Sequence, residues 1–169
     1  HFYVASRGEE TRNVEAVYRL IFQPRYRKVY ASYPMTHVAD MPEVADELRR
    51  FRAAVAEHFV CFDPGDLEEK ELHNLAVQAA ESGQKSLDIN RLGQNVRFDV
   101  AEILSLAGDI HGQIYARDFK FIEQADMIVS YVPEGPGGKP ILSSGVEREL
   151  QHAYESAKEV YVIWRPRPK

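Results

Sequence analysis

The residues in this chain best suited to chemistry lie in the run Pro140-Ile141-Leu142-Ser143-Ser144-Gly145-Val146-Glu147-Arg148-Glu149. It reads as a loop flowing into a helix, and the unsatisfied N–H groups and dipole of a helix N-terminus favour an anion such as a phosphate. Ser144 and Glu147, three apart, fit a capping box and so have a structural explanation of their own. Glu149 does not. It falls at the border of an apolar stripe through Val146, Leu150 and Ala153, where a partly buried carboxylate needs a partner or a function. Glu149 is therefore the first candidate catalytic residue, and Ser143, Ser144 and Gly145 are candidate substrate-binding residues.

Two further segments could complete a site. Ser32-Tyr33-Pro34-Met35-Thr36-His37 follows a strand-like run and offers an aromatic face, two hydroxyls and an imidazole in one short loop. Ser32, Tyr33, Pro34, Thr36 and His37 are candidates to seat a base and its sugar, although each is also an ordinary loop residue after a strand-ending proline. In residues 110–124, Tyr115, Phe119 and Ile122 can form an apolar stripe with Asp118 projecting to one side, next to Arg117. Taken alone, Asp118 reads rather as a surface carboxylate on a helix. Asp126, immediately before a buried strand, has a structural reading and no catalytic role.

Positioning such groups requires a scaffold, and strand-like and helix-like segments alternate as in a parallel sheet with crossover helices. Strands are expected at 28–33, 59–62, 127–132 and 160–164, with the third apolar on both faces and hence central. Helices are expected at 11–22, 42–57 and 144–158, the second through the stripe Val44, Leu48, Phe51 and Val55. Residues 65–109 are charged, partly helical and broken at Gly83 and Gly93. They are longer than a crossover requires and read as an insertion, a lid or an oligomer contact. The expected fold is a three-layer flavodoxin-like or Rossmann-like α/β domain, a parallel sheet of about four to five strands with helices on both faces. Ligands in such folds gather beyond the carboxyl ends of the strands.

Composition narrows the function classes. The chain of 169 residues, 44% hydrophobic with eight Phe and nine Tyr, suffices for one domain. A net charge of -5 with both signs interspersed gives no basic stripe for a nucleic-acid polymer. Cys61 is the single cysteine and sits in an apolar run, so a buried thiol and a reducing, cytoplasmic setting are expected. No apolar run approaches a membrane span, and the first residues lack the pattern of a signal peptide. A start on His1 within a strand-like stretch suggests part of a longer chain. No GxxxxGK, GxGxxG, HExxH or paired-cysteine motif occurs, so phosphate-loop hydrolysis, Rossmann redox chemistry and zinc hydrolysis lack their usual support.

Arg117-Asp118-Phe119, followed by Ile122 to Val129, and Gly145-Val146-Glu147-Arg148-Glu149-Leu150-Gln151-His152-Ala153 together resemble the nucleoside 2-deoxyribosyltransferase superfamily in order and separation. That superfamily carries an Asp before its central strand and a Glu-Leu-Gly-x-Ala pattern opening the next helix. Here Glu149-Leu150-Gln151-His152-Ala153 matches with Gln in place of Gly. The resemblance covers roughly Lys28 to Trp164, with residues 65–109 poorly matched. It implies that Glu149 is the nucleophile at the anomeric carbon and that Asp118 contacts the nucleobase and supplies or relays a proton. Ser143, six before the nucleophile, matches nucleotide-hydrolysing relatives, whereas transferases acting on free nucleosides carry Asp there. Met35-Thr36-His37 replaces the Gly-rich loop of the monophosphate hydrolases. The implied activity is cleavage or transfer at the N-glycosidic bond of a nucleoside or nucleoside 5'-monophosphate, without metal or organic cofactor, in a homo-oligomer. The other readings are a nucleotide-sensing domain of a larger protein that lacks turnover and, last, an interaction module without a ligand.

Overall fold

The structure, a computed structural model, describes residues 10–35, 38, 41–66, 69–91 and 94–164. The elements run α1 (Glu10–Phe22), β1 (Lys28–Ser32), α2 (Pro42–His58), β2 (Val60–Phe62), α3 (Glu69–Glu81), β3 (Ser86–Arg91), β4 (Gln94–Asp99), α4 (Val100–Ser105), α5 (Ala107–Gln124), β5 (Met127–Val132), α6 (Ser144–Glu155) and β6 (Glu159–Trp164). Four strands form one parallel sheet in the order β2-β1-β5-β6. The fold is thus the α/β architecture expected, a parallel sheet flanked by helices and consistent with a flavodoxin-like three-layer arrangement.

Strand alternation divides the sheet into two unlike faces. Val29, Ala31, Met127, Val129 and Tyr131 pack with Val44, Leu48, Phe51 and Val55 of α2, the stripe read from the sequence. Tyr30 and Ile128 point the other way, onto Phe121, Ile122 and Ala125 at the end of α5 and Ala153 of α6. Chain order reverses between β1 and β5, because β1 leads outward to β2 while the chain returns to place β5 on the other side of β1. That topological switch point is where an open α/β sheet leaves a crevice at its carboxyl edge. β5 is buried along its whole length, as a central strand apolar on both faces must be.

Several boundaries differ from the sequence reading for identifiable reasons. α6 stops at Glu155 instead of continuing to Lys158, because Ala157 turns left-handed at φ 54° and Lys158 donates its backbone N–H to Ala153 O. The N-cap of α6 is Ser143, whose Oγ accepts from Val146 N at 3.3 Å, so Ser144 is the first helical residue and the expected Ser144–Glu147 capping box does not form. β6 is an edge strand with all six residues exposed. Residues 65–109 contain an antiparallel hairpin, β3 with β4, that was not foreseen. Leu87 and Phe98 pair across it, as do Asp88 and Arg97, and its apolar face packs on α3 and α4 around Ala76, Ala79, Val100 and Ile103. Gly83 ends α3 with φ 71°, as its reading as a break required, whereas Gly93 lies outside the described residues. Cys61 is buried, as its place in an apolar run required.

Asp126 has a structural role, although as a tie between strands and not as the helix cap or turn residue its position suggests. Its Oδ2 accepts from Lys28 N at 2.8 Å and its Oδ1 pairs with Lys28 Nζ at 3.0 Å, tying the start of β5 to the start of β1. Burial opposes ionisation, but the Lys28 amide and ammonium outweigh it and hold the Asp126 carboxyl below its ordinary value. A carboxyl depressed in the folded state stabilises the fold fully above its unfolded pKa, near 3.9, and loses that contribution as pH falls through the folded value. Replacing Asp126 by Asn should therefore lower the melting temperature slightly at pH 7 and make no difference well below pH 3. Thermal melts across that range check this.

Candidate active site

The inward face of α5 is set by spacing: Asp118, Phe121, Ile122 and Ala125 recur at i, i+3, i+4 and i+7, and all are buried. Asp118 is therefore in line with the apolar stripe, facing the sheet, and not to one side of it as the sequence suggested. On α6 the same rule brings Val146, Glu149 and Ala153 inward. The two carboxylates are 4% and 8% exposed, values that a charged group reaches only with partners.

Those partners differ. Arg117 donates from Nε and NH2 to Asp118 Oδ1 at 3.1 and 2.9 Å, its guanidinium lying over the Phe121 ring. Glu149 accepts at Oε2 from the Ser32 hydroxyl at 2.6 Å, a buried contact between α6 and the last residue of β1. Tyr30, two residues earlier on the same face of β1, lies between them electrostatically. Burial first, and then the negative charges of Glu149 and Asp118, push its hydroxyl well above the ordinary phenol value. The Tyr30 hydroxyl itself makes no hydrogen bond of good geometry to any described atom, and neither does the Ser130 hydroxyl. Ser32, Glu149, Asp118 and Tyr30 thus form one buried polar cluster between the sheet and the α5–α6 layer, beside the switch point.

The remaining candidates are placed as follows. Tyr33 turns to the opposite face, where its hydroxyl donates to Asp63 Oδ1 at 2.6 Å and its ring meets Phe51 edge-on. Pro34 is buried. Thr36 and His37 lie outside the described residues. Ser143 caps α6 while Ser144 and Gly145 lie in its first turn, about 6–9 Å of helix rise from Glu149 by their spacing. The structure joins Glu149 to Ser32, puts the charges of Glu149 and Asp118 both within reach of Tyr30, and leaves Tyr33 on the α2 side.

Sequence reasoning missed Tyr30, Ser130 and Asp63. Strand alternation could have found the first two, since Tyr30 and Ser130 share the parity of Ser32 and Ile128 once the register Ser32↔Ser130 is known. Asp63 ends β2 and is enclosed by Tyr33, by Arg52 Nε at 2.6 Å and by Gly65 N at 2.9 Å. Gly65 is required there, because a Cβ would stand 2.0 Å from the Tyr33 hydroxyl.

Two open clefts follow the same carboxyl edge, of about 460 and 360 Å³. The larger lies between residues 41–44 at the start of α2 and residues 134–138 after β5; the smaller continues along 139–142 towards Ser143. Neither is lined by Glu149 or Asp118. The chemistry is marked by the carboxylate cluster, because a groove between loops needs no special cause whereas two buried charges do. Among the described residues no group of three or more His, Cys, Asp or Glu could hold a metal ion, and no helix is long and apolar enough to cross a membrane.

No family model matches the chain, and no curated protein matches it.

Proposed function

We propose that this domain cleaves or transfers at the N-glycosidic bond of a nucleoside or nucleoside 5'-monophosphate, with Glu149 as nucleophile and Asp118 as the residue that meets the base. The observation that carries this reading is the burial of both carboxylates around Tyr30, with Glu149 held by Ser32 at 2.6 Å. Breaking the bond builds positive charge on the sugar and negative charge on the departing base, a division that one ionised carboxylate and one proton donor accommodate. In the first step a Glu149 oxygen bonds to the anomeric carbon, and the C–N electron pair leaves with the base, which takes the proton of the Asp118 carboxyl. In the second, water or another base attacks the same carbon, its proton passes to Asp118 and the Glu149 carboxylate is released. The pair plays the part that paired carboxylates play in O-glycoside cleavage. A homo-oligomeric, cytoplasmic enzyme, with residues 65–109 as lid or oligomer contact, belongs to the same proposal. No cofactor takes part in these steps.

A second reading, a nucleotide-sensing domain without turnover, is favoured by one observation: the clefts at the sheet edge are lined by other residues than the two carboxylates. The two readings separate on release of free base from a panel of ribo- and deoxyribonucleosides and their monophosphates.

Phosphate preference follows from the α6 N-terminus. Ser143 already accepts from Val146 N, so its own O–H remains a donor, and the first-turn N–H groups favour an anion. A monophosphate should bind at least tenfold more tightly than its nucleoside, since hydrogen bonds to charged groups contribute about 1.5–3 kcal/mol each. Ser143→Asp, which keeps a capping oxygen, should abolish that preference with little change in nucleoside affinity. Calorimetric titration of both proteins with a matched pair of ligands decides it. Equal affinities in the unmodified protein would remove the phosphate site and leave the glycosidic reading standing.

A further inference from the structure

Ser130 is fully buried in β5, and its hydroxyl has no hydrogen-bond partner among the described residues. An unmade hydrogen bond in the interior is costly enough that such a group points to a partner it meets in another state. Its direction follows from alternation. Met127, Val129 and Tyr131 face α2 while Ile128 faces α5 and α6, so Ser130 faces α6. Its register partner on β1 is Ser32, the residue that donates to Glu149. Neighbouring strands lie about 4.8 Å apart. α6 packs on β5 and β6, so the Glu149 side chain crosses β5 at the level of Ser130 to reach Ser32 on β1.

We propose that Ser130 is a positioning residue for Glu149: its hydroxyl, unbonded in this structure, joins Ser32 as a second donor that holds the reacting carboxylate ionised and in place. This rests on Glu149 being the reacting carboxylate. The surroundings explain why hydroxyls are needed. α5 presents the like charge of Asp118, with Arg117 hydrogen-bonded to Asp118 Oδ1, and β1 presents Tyr30, with Tyr33 beyond it. β5 presents Ile128, Ser130 and Val132 on this face and no titratable group, while Glu159 of β6 is engaged by Arg27 and Tyr161. On α6 itself, Glu147 lies exposed in the first turn, Arg148 stacks on Tyr115 and His152 stacks on Phe119. With the carboxylate of Asp118 also acting on Tyr30, hydroxyl donors such as Ser32 help offset the cost of burying the Glu149 charge.

The test follows the Glu149 carboxyl directly, by carbon-13 NMR of protein labelled at glutamate and assigned with Glu149→Gln, in the unmodified protein, Ser130→Ala and Ser130→Thr. Losing a donor to the ionised form raises the carboxyl pKa. Ser130→Ala should therefore titrate about one pH unit higher, a tenfold shift in ionisation, and Ser130→Thr should return near the unmodified value. The acid limb of base release should move by the same amount in the same direction. An unmoved Glu149 titration in folded Ser130→Ala overturns the assignment, as does a threonine variant that behaves like alanine. Should the alanine variant not fold, Ser130→Cys, a weaker donor of similar size, must show an upward shift, and its absence also overturns it. If no substrate releases base, the glycosidic reading fails by itself, and the NMR titration still decides the role of Ser130.

Discussion

Replacing Glu149 by glutamine should lower base release on the order of 10³-fold or more while changing stability by less than about 1 kcal/mol. Glutamine matches glutamate in shape, and its amide oxygen can still accept from Ser32, whose hydroxyl is otherwise buried. What it lacks is the charge that attacks and stabilises an electron-poor anomeric carbon. Alanine is the poorer test. It would leave the Ser32 hydroxyl without the carboxylate at 2.6 Å and open a void beside Val146 and Ala153, adding a loss of stability to the loss of chemistry. Chromatographic assay of released base, with a thermal melt of the same samples, separates the two effects.

The largest effect on stability should come from Asp63→Ala. Its carboxylate is fully enclosed and joins three elements: β1 through Tyr33, α2 through Arg52, and the turn after β2 through the Gly65 amide. Removing it leaves a buried phenol and an amide without that partner and an arginine, 30% exposed, without its counter-charge. Breaking a fully buried pair costs about 3–5 kcal/mol, and the partial exposure of Arg52 lowers the expectation to about 3 kcal/mol. For a chain of this size that is a fall in melting temperature of roughly 6–12 °C. Tyr33→Phe should cost less, because Asp63 keeps Arg52 and Gly65. A drop of under two degrees in Asp63→Ala would show that the cluster does not hold the carboxyl edge together.

The reason Asp63 escaped the sequence reading lies in distance along the chain. Tyr33, Arg52 and Asp63 are joined only when β1, α2 and β2 fold together, and Asp63-Pro64-Gly65 alone looks like any strand-ending turn. Glu149 was legible for the opposite reason: it sits on a helix whose apolar periodicity gives its inward face, and a carboxylate at the border of that face stands out, whereas the stripe read for α5 put Asp118 to one side and only the family resemblance singled it out. The sheet and α2 could be read the same way, from Val44, Leu48, Phe51 and Val55 and from the doubly apolar run of β5. The β3–β4 hairpin was hidden although its alternation is plain in retrospect, with Leu87 and Ile89 answering Val96 and Phe98. Its strands are rich in Asp, Asn, Gln and Arg, and one short hairpin with a polar outer face carries too little apolar signal to outweigh the helical runs on either side. Tyr33 could be assigned to the base-binding loop only by adjacency, and adjacency does not tell which face of the sheet a residue takes after a strand ends.

The central claim is that this chain breaks an N-glycosidic bond with Glu149. The direct measurement is to incubate the unmodified protein and Glu149→Gln with ribo- and deoxyribonucleosides and their 5'-monophosphates and to quantify free base by chromatography. The account predicts release from at least one substrate by the unmodified protein and essentially none by Glu149→Gln. No release from any substrate, or equal release by the two proteins, would contradict it.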